Sequence, residues 1–204
     1  LTSLAESGLF AASTIMMGWL GTVPLAAHGI AMQLTAATFM IHLGLSNAAT
    51  IRAGNALGRR DEVHLRRGAW AVTGVAMVVV AATIYAFLMH PHALIGLFLD
   101  SNEGDRALIL QAGATLLAVA ALFQLVDSVQ AMALGLLRGV HDAEAPMVIT
   151  GVSYWMIGIP AAYYMGFVLQ WQGVGVWLGL VVGLAVAAGL LMARFWIWSC
   201  KIEP

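Results

Sequence analysis

The feature that most constrains this chain is the length of its uncharged stretches. Residues 7–51, 68–99 and 145–193 contain no Asp, Glu, Lys or Arg, and between residues 107 and 137 the only charged residue is Asp127. A transmembrane helix needs about 20 mostly apolar residues, so these stretches hold several such helices. The alternative, an all-helical core domain of a soluble protein, would leave far more apolar surface than a chain of this length can cover.

The composition also indicates a polytopic membrane protein. Hydrophobic residues make up 61% and charged residues 9% of the 204 residues, whereas soluble domains carry about 25% charged residues. A formal net charge of −1 gives no indication of a nucleic-acid partner. The single cysteine, Cys200, excludes a disulfide within the chain. The chain does not begin with Met and shows no signal-peptide pattern, so we expect a fragment or the second half of a longer protein.

We predict an all-α fold in which residues 1–204 form one domain of six transmembrane helices. The expected spans cover residues 2–20, 25–51, 68–89, 107–137, 146–169 and 174–196. Residues 52–67, rich in Gly and Arg, are expected to form a basic cytoplasmic loop, and residues 93–99 are apolar but too short to cross. Pro160 should kink the fifth span because it removes one helix hydrogen bond, and the kink could serve as a hinge or only shape the helix.

Basic residues fall almost entirely on one side of the expected spans. The loop between the second and third spans holds Arg52, Arg59, Arg60, Arg66 and Arg67. Arg138 follows the fourth span, and Arg194 and Lys201 lie at the C-terminal end, so eight of the nine basic residues share one side. Because basic residues accumulate in cytoplasmic loops, we expect a multi-pass protein of the cell's inner (plasma) membrane, embedded in the lipid bilayer, with a cytoplasmic C-terminus.

Small and aromatic residues in the spans indicate packing and anchoring. Gly175, Gly179 and Gly183 recur at four-residue spacing, which is typical of closely packed helices in lipid. Five tryptophans near the predicted span ends are expected to be interfacial anchors. They are Trp155, Trp171, Trp177, Trp196 and Trp198.

Two carboxylates interrupt the apolar stretches. Glu6 and Asp127 have no Lys or Arg close by in sequence, and a charge at the bilayer centre costs roughly 2.5–3.5 kcal/mol on insertion scales. Ser13 lies two turns above Glu6, and Gln124 and Gln130 lie three residues on either side of Asp127. Because such acids usually mark an ion or proton path, we predict a polar cavity beside them. The alternative is acids satisfied by interhelical hydrogen bonds, with no transport role.

An acid held in this way can exchange a small cation for cationic cargo. We expect no cofactor and no metal site, and the sequence contains no HExxH, phosphate-loop or CxxC motif. His28 and His42, both in the second span, could join a proton relay. Hydrogen-bonded packing is the more common role for histidines in such positions.

Six segments along the chain carry recognisable motifs. They are residues 26–33 (AAHGIAMQ), 52–58 (RAGNALG), 123–130 (FQLVDSVQ), 137–142 (LRGVHD), 158–160 (GIP) and 173–180 (GVGVWLGL). In this order and spacing they resemble the multidrug and toxic compound extrusion (MATE) family in its NorM-like branch, including its AAHQIA, R-x-G-x-x-L-G and FQ-x-x-D-x-x-Q stretches.

The resemblance implies that the chain is the C-terminal six-helix lobe of a twelve-helix transporter, with the N-terminal six-helix lobe missing. It implies export of small organic cations and drugs in exchange for Na⁺ or H⁺, with Glu6 and Asp127 as the coupling acids. Phe123 stands where sodium-coupled members carry a tyrosine, and the loss of that oxygen favours proton coupling. The candidate cavity-lining residues are Gln124, Gln130, Ser13, Phe123 and Phe39.

Three alternatives stay open. A lipid-linked flippase of the same superfamily would line its cavity with basic residues, and none is expected inside a span. A membrane enzyme using both acids as an acid–base pair would need a nucleophile or metal set, so we expect no enzyme. A non-transporting assembly subunit would tolerate neutral replacement of both acids.

Overall fold

The computed structural model describes residues 2–100 and 104–201, with side chains from residue 4 onward. The described chain is almost entirely helical. Its helices are α1 (Thr2–Leu20), α2 (Thr22–Gly58), α3 (Glu62–Met89), α4 (Pro91–Gly96), α5 (Arg106–Gly139), α6 (Glu144–Val168) and α7 (Gln172–Ser199). The predicted all-α fold is therefore confirmed.

Five of these helices, α2, α3, α5, α6 and α7, are long and apolar enough to cross a membrane. The remaining predicted span, α1, has 19 residues in the described part of the chain, a length of about 28 Å at 1.5 Å per residue. That is slightly less than the ~30 Å hydrocarbon core of a bilayer. The apolar segment after the third span forms the short helix α4, too short to cross, as the sequence predicts.

The prediction of a loop over residues 52–67 is wrong for most of its length. Helix α2 continues to Gly58 and α3 starts at Glu62, which leaves only a three-residue connection. Arg60 turns the chain with a positive φ of 53°, and the carboxylate of Asp61 caps α3 by accepting a backbone hydrogen bond from its first turn. Arg, Ala and Leu are good helix formers, so the basic, polar composition marks surface position and not loop conformation.

Helices α2 and α5 run parallel and in close contact. The hydroxyl of Ser46 donates to the carbonyl of Ala131 at 2.6 Å, and that of Thr50 donates to the carbonyl of Gly135 at 2.9 Å. Both pairs are separated by 85 residues, so the register between the helices is constant. A Cβ atom on Gly135 would lie 2.6 Å from Oγ of Ser46, which shows that the close approach depends on glycine.

Helix α6 contains two π-helical stretches, Ser153–Gly158 and Tyr164–Val168, on either side of Pro160. Wide π-turns accommodate a proline, which has no N–H for the helix ladder. A Cβ atom on Gly183 of α7 would lie 2.7 Å from Cα of Gly158, so the close packing predicted for the glycine row is confirmed. The hinge role of Pro160 stays a prediction.

The outer surface of the helices is apolar. Large exposed side chains include Leu4, Ile41, Val78, Met156 and Leu190. Such a surface suits lipid and would be a liability in water. Trp155, Trp171 and Trp198 are at least half exposed, as membrane anchors are. Trp177 is fully buried in the core, so the prediction that it anchors the protein at an interface is wrong.

Candidate cation-binding cavity

A cavity of about 580 Å³ opens between α1, α2 and α5. Glu6 reaches it from α1, Phe39 from the middle of α2, and Asp127 and Gln130 from α5. Phe123 lies one turn before Asp127 on the same wall. Five of the seven residues named from the sequence as binding or cavity-lining candidates therefore line one space, although they come from three helices.

The prediction that Ser13 and Gln124 line the cavity is wrong. The hydroxyl of Ser13 is buried and donates to the carbonyl of Phe10 within α1, at 2.7 Å. The amide of Gln124 is buried between α5 and α2, where it donates to the carbonyl of Thr35 at 3.1 Å and to the hydroxyl of Thr38. Residues three positions apart differ by about 60° around a helix, so Gln124 turns to α2 while Asp127 faces the cavity.

Asp127 is 3% exposed and forms no hydrogen bond or ion pair with another described residue. It interacts electrostatically with Glu6 across the cavity. A buried carboxylate without a partner is costly unless a proton or a cation neutralises it. The cavity therefore provides two acids, close enough to affect one another, that compete for positive charge.

Arg138 lines the same cavity and was missed from the sequence. It lies in the last turn of α5 and interacts electrostatically with Glu6. The sequence placed it in a loop after the fourth span, but helix α5 continues to Gly139. The spacing from Asp127 to Arg138 is eleven residues, just over three full turns at 3.6 residues each, and this signal could have placed both residues on one helix face.

Three polar side chains near Asp127 in sequence each keep a buried oxygen without a hydrogen-bond partner among the described residues. Gln130 uses its amide nitrogen to donate to the hydroxyl of Tyr154 on α6, and its amide oxygen has no partner in the described part of the chain. The amide oxygen of Gln124 and the hydroxyl of Ser128 are also buried and unpaired within the described residues. Buried polar atoms are normally paired, and Gln130 lines the same cavity as Asp127, so its amide oxygen is available to a protonated acid or a cation in the cavity.

An aromatic cluster supports the wall of the cavity. Phe123 packs edge-on against Trp177, at a centroid distance of 5.6 Å, and against Phe10 at 6.0 Å. The indole N–H of Trp177 donates to Nδ1 of His28 at 3.1 Å. Since an indole only donates, Nδ1 accepts and the proton of the neutral imidazole lies on Nε2, which is 3.2 Å from the hydroxyl of Thr14.

His28 is thus a satisfied packing residue that joins α1, α2 and α7. His42 has a different environment, because both of its ring nitrogens are buried and unpaired within the described residues. Across residues 2–100 and 104–201, no three His, Cys, Asp or Glu side chains come close enough to hold a metal ion. Any cation in this part of the chain would therefore rely on carboxylates supplemented by neutral oxygens.

A charged clamp closes the end of the bundle that carries Arg138. Asp142, between α5 and α6, accepts two hydrogen bonds from Arg194 at 2.7 and 3.2 Å and one from Ser199 at 2.8 Å. Burial alone would raise the pKa of Asp142, but these hydrogen bonds outweigh burial and hold the pKa below its ordinary value. The clamp fixes the α5–α6 turn to the end of α7.

Fold and site together define a polytopic α-helical membrane protein built around a largely apolar cavity that carries two carboxylates. The MatE family model matches residues 1–164, and the chain belongs to the MatE family. It is 47% identical over 197 residues to the "Probable multidrug resistance protein NorM" of Rhizobium meliloti (strain 1021), covering 96% of this chain and 42% of that protein. Identity to the protein of the same name in Agrobacterium fabrum is 46% over 195 residues, with the same coverage.

Solved structures agree on the fold. The structure described as "Crystal structure of MATE in complex with MaL6" superposes with a TM-score of 0.84 at 22% identity, covering 99% of this chain and 45% of that one. The chain therefore spans less than half the length of the relatives that it matches.

Proposed function

We propose that this chain is the C-terminal six-helix lobe of a cation-coupled antiporter that exports organic cations and drugs. The observation that carries the proposal is the buried carboxylate of Asp127, which has no partner among the described residues, beside Glu6 on a cavity of about 580 Å³. The printed names of the relatives, probable multidrug resistance proteins, support it. The missing N-terminal lobe would complete the substrate pathway, as the 42% coverage of those relatives suggests.

Exchange follows from competition for the same negative charge. A cationic substrate entering the cavity and a proton or sodium ion on Asp127 both neutralise buried charge, and binding one disfavours the other. Phe39 and Phe123 give the cavity aromatic walls, which hold organic cations by their ring faces and by apolar contact. Release of the coupling ion into the cytoplasm would then allow cargo to bind, and binding of the ion from outside would displace the cargo outward.

The coupling ion that we propose is the proton. Sodium prefers a shell of oxygen ligands, and Phe123 contributes none to the cavity wall. The unpaired amide oxygens of Gln124 and Gln130 would favour sodium if they turned towards Asp127. Proton release on substrate binding to the purified transporter, measured with and without sodium, distinguishes the two, and release that persists without sodium supports proton coupling.

We place the protein in the plasma membrane with its basic end and C-terminus in the cytoplasm. The asymmetry of basic residues supports this orientation. Cysteine-specific labelling of a Thr22→Cys variant, on a Cys200→Ser background, with a membrane-impermeant reagent tests it. Labelling of intact cells at position 22, which lies at the opposite end, is the expected result.

A second candidate function is favoured by Arg138. A basic side chain on the cavity wall is what a flippase for an anionic, lipid-linked substrate would use. The test that decides between the two is Asp127→Asn in the intact transporter, with Glu144→Gln as a control acid exposed outside the cavity. Antiport predicts loss of drug resistance at normal membrane abundance for Asp127→Asn alone. Unchanged resistance in that variant would refute antiport and leave a flippase or a non-transporting assembly subunit.

A further inference from the structure

A second cavity lies at the basic end of the bundle, between the last turns of α2 and the first turns of α3. It encloses about 180 Å³ and shares no residue with the cavity of Asp127. Its polar rim consists of Arg52, Asn55, Arg59 and His64, and its floor is apolar, including Leu136 from α5. We call it the basic-end cavity.

The two arginines of the rim lack carboxylate partners in the described part of the chain. The nearby acids are already used, since Asp61 pairs with His64 at 2.8 Å and Glu62 pairs with Arg66 at 3.0 Å. Arg59 interacts with Asp61 only at longer range. The rim therefore carries excess positive charge above an apolar floor, a combination that suits an anion with an apolar extension.

The depth of the cavity agrees with the headgroup region of a bilayer. Arg52 lies thirty residues after the first residue of α2, a distance of about 45 Å at 1.5 Å per residue. A bilayer with its headgroups is about 40–45 Å thick. At the level of the rim, Ile51 and Val63 are 65% and 57% exposed, so the apolar outer surface of α2 and α3 extends to the same depth as the cavity.

We propose that the basic-end cavity binds the phosphate headgroup of an anionic phospholipid. The guanidinium groups of Arg52 and Arg59 would hold phosphate oxygens through charge-assisted, bidentate hydrogen bonds. The apolar floor would contact the glycerol backbone, and the acyl chains would extend along the apolar outer surface of the bundle. A free phosphate ion would contact the rim alone, whereas a phospholipid would contact both the rim and the apolar floor.

The test titrates the delipidated intact protein with dioleoylphosphatidylglycerol and with dioleoylphosphatidylcholine, following bound lipid by native mass spectrometry. We expect a clear preference for phosphatidylglycerol in the wild type. The Arg52→Gln/Arg59→Gln variant should lose about thirty-fold in affinity for phosphatidylglycerol, since each basic group near an anionic headgroup contributes roughly fivefold. Arg60→Gln/Arg67→Gln, which removes two exposed arginines, should change affinity by about twofold or less because neither side chain lines the cavity.

Three results would overturn the proposal. Equal losses in the two double variants would show diffuse attraction of the basic surface, and the absence of any preference for phosphatidylglycerol would show that no headgroup site exists. Full displacement of the lipid by inorganic phosphate would identify a free-anion site. An Arg52→Lys/Arg59→Lys variant guards against misfolding: with the charges kept, it should retain more than half of the bound lipid at saturation.

Discussion

The indole nitrogen of Trp177 lies 3.1 Å from Nδ1 of His28 and donates a hydrogen bond to it. Both side chains are fully buried, and the bond connects α7 to α2 directly behind Phe123. The aromatic wall of the cavity is therefore held by one hydrogen bond between two helices that are remote in sequence.

Replacing Trp177 by Phe keeps an aromatic ring against Phe123 but leaves Nδ1 of His28 unpaired. We expect the free energy of unfolding to fall by about 1–3 kcal/mol, the usual cost of one orphaned buried polar group. Thermal unfolding of the detergent-solubilised protein measures it. Trp171→Phe, at a half-exposed tryptophan, is the matched control, and an equal loss in both variants would contradict the role given to this hydrogen bond.

Gly135→Ala should separate α2 from α5. The added Cβ would lie 2.6 Å from Oγ of Ser46 and 3.0 Å from its carbonyl carbon, and backbone atoms cannot move aside cheaply. We expect a loss of about 1–3 kcal/mol, typical of overpacking. Gly44→Ala on α2 adds a methyl group where no atom lies within 4 Å, and it should be neutral or slightly stabilising. The measurement compares the thermal midpoints of the two variants with that of the wild type. A Gly135→Ala protein as stable as Gly44→Ala would refute the close contact.

Asp142→Asn should weaken the clamp and remove its dependence on pH. The folded pKa of Asp142 lies below its ordinary value, so the carboxylate stabilises the fold above about pH 4, the ordinary value for Asp. This contribution is lost as the pH falls through the lower folded value. At neutral pH the loss should be about 1.5–3 kcal/mol, as for hydrogen bonds to a charged group.

The measurement for Asp142 is the thermal midpoint of wild type and variant from neutral to acid pH. The wild-type curve should fall towards that of Asp142→Asn as the pH drops below about 4. Asp105→Asn, at the opposite end of the bundle, serves as control and should follow the wild type. Curves for Asp142→Asn and wild type that stay parallel at all pH values would rule out a contribution from this ionisation.

Arg138→Gln should strengthen the binding of organic cations. Its positive charge interacts with Glu6 across the cavity mouth, and removing it leaves more negative charge for the substrate. At a separation of about 10 Å and an effective dielectric constant of 20, one charge changes the binding energy by about 1–2 kcal/mol. Tetraphenylphosphonium binding, measured by equilibrium dialysis, should tighten about five- to thirty-fold, whereas Arg60→Gln should have no effect. Weaker binding in Arg138→Gln would favour the flippase.

The sequence predicted the class of fold and the two acids because both depend on a large local signal. Uncharged stretches longer than 30 residues have few folds open to them, and Glu6 and Asp127 are conspicuous inside such stretches. Phe39 and Gln130 were also predicted to line the cavity, and they do.

The missed features depend on tertiary contacts. Arg138 was assigned to a loop since a basic residue ends an apolar stretch, although the helix itself continues past it. Trp177 was expected at an interface because tryptophans near span ends usually lie there, yet its side chain turns inward to His28. Neither the end of a helix nor the side that a lone aromatic faces follows from composition.

The constant register between α2 and α5 limits how this half of the molecule can change shape. Backbone contacts at Gly135 and hydroxyl bonds from Ser46 and Thr50 lock the two helices at one offset, so sliding one along the other would break all of them together. Asp127 is consequently held by a rigid pair of packed helices. Movement of α1, which carries Glu6, would widen or narrow the space beside Asp127 and leave these contacts intact.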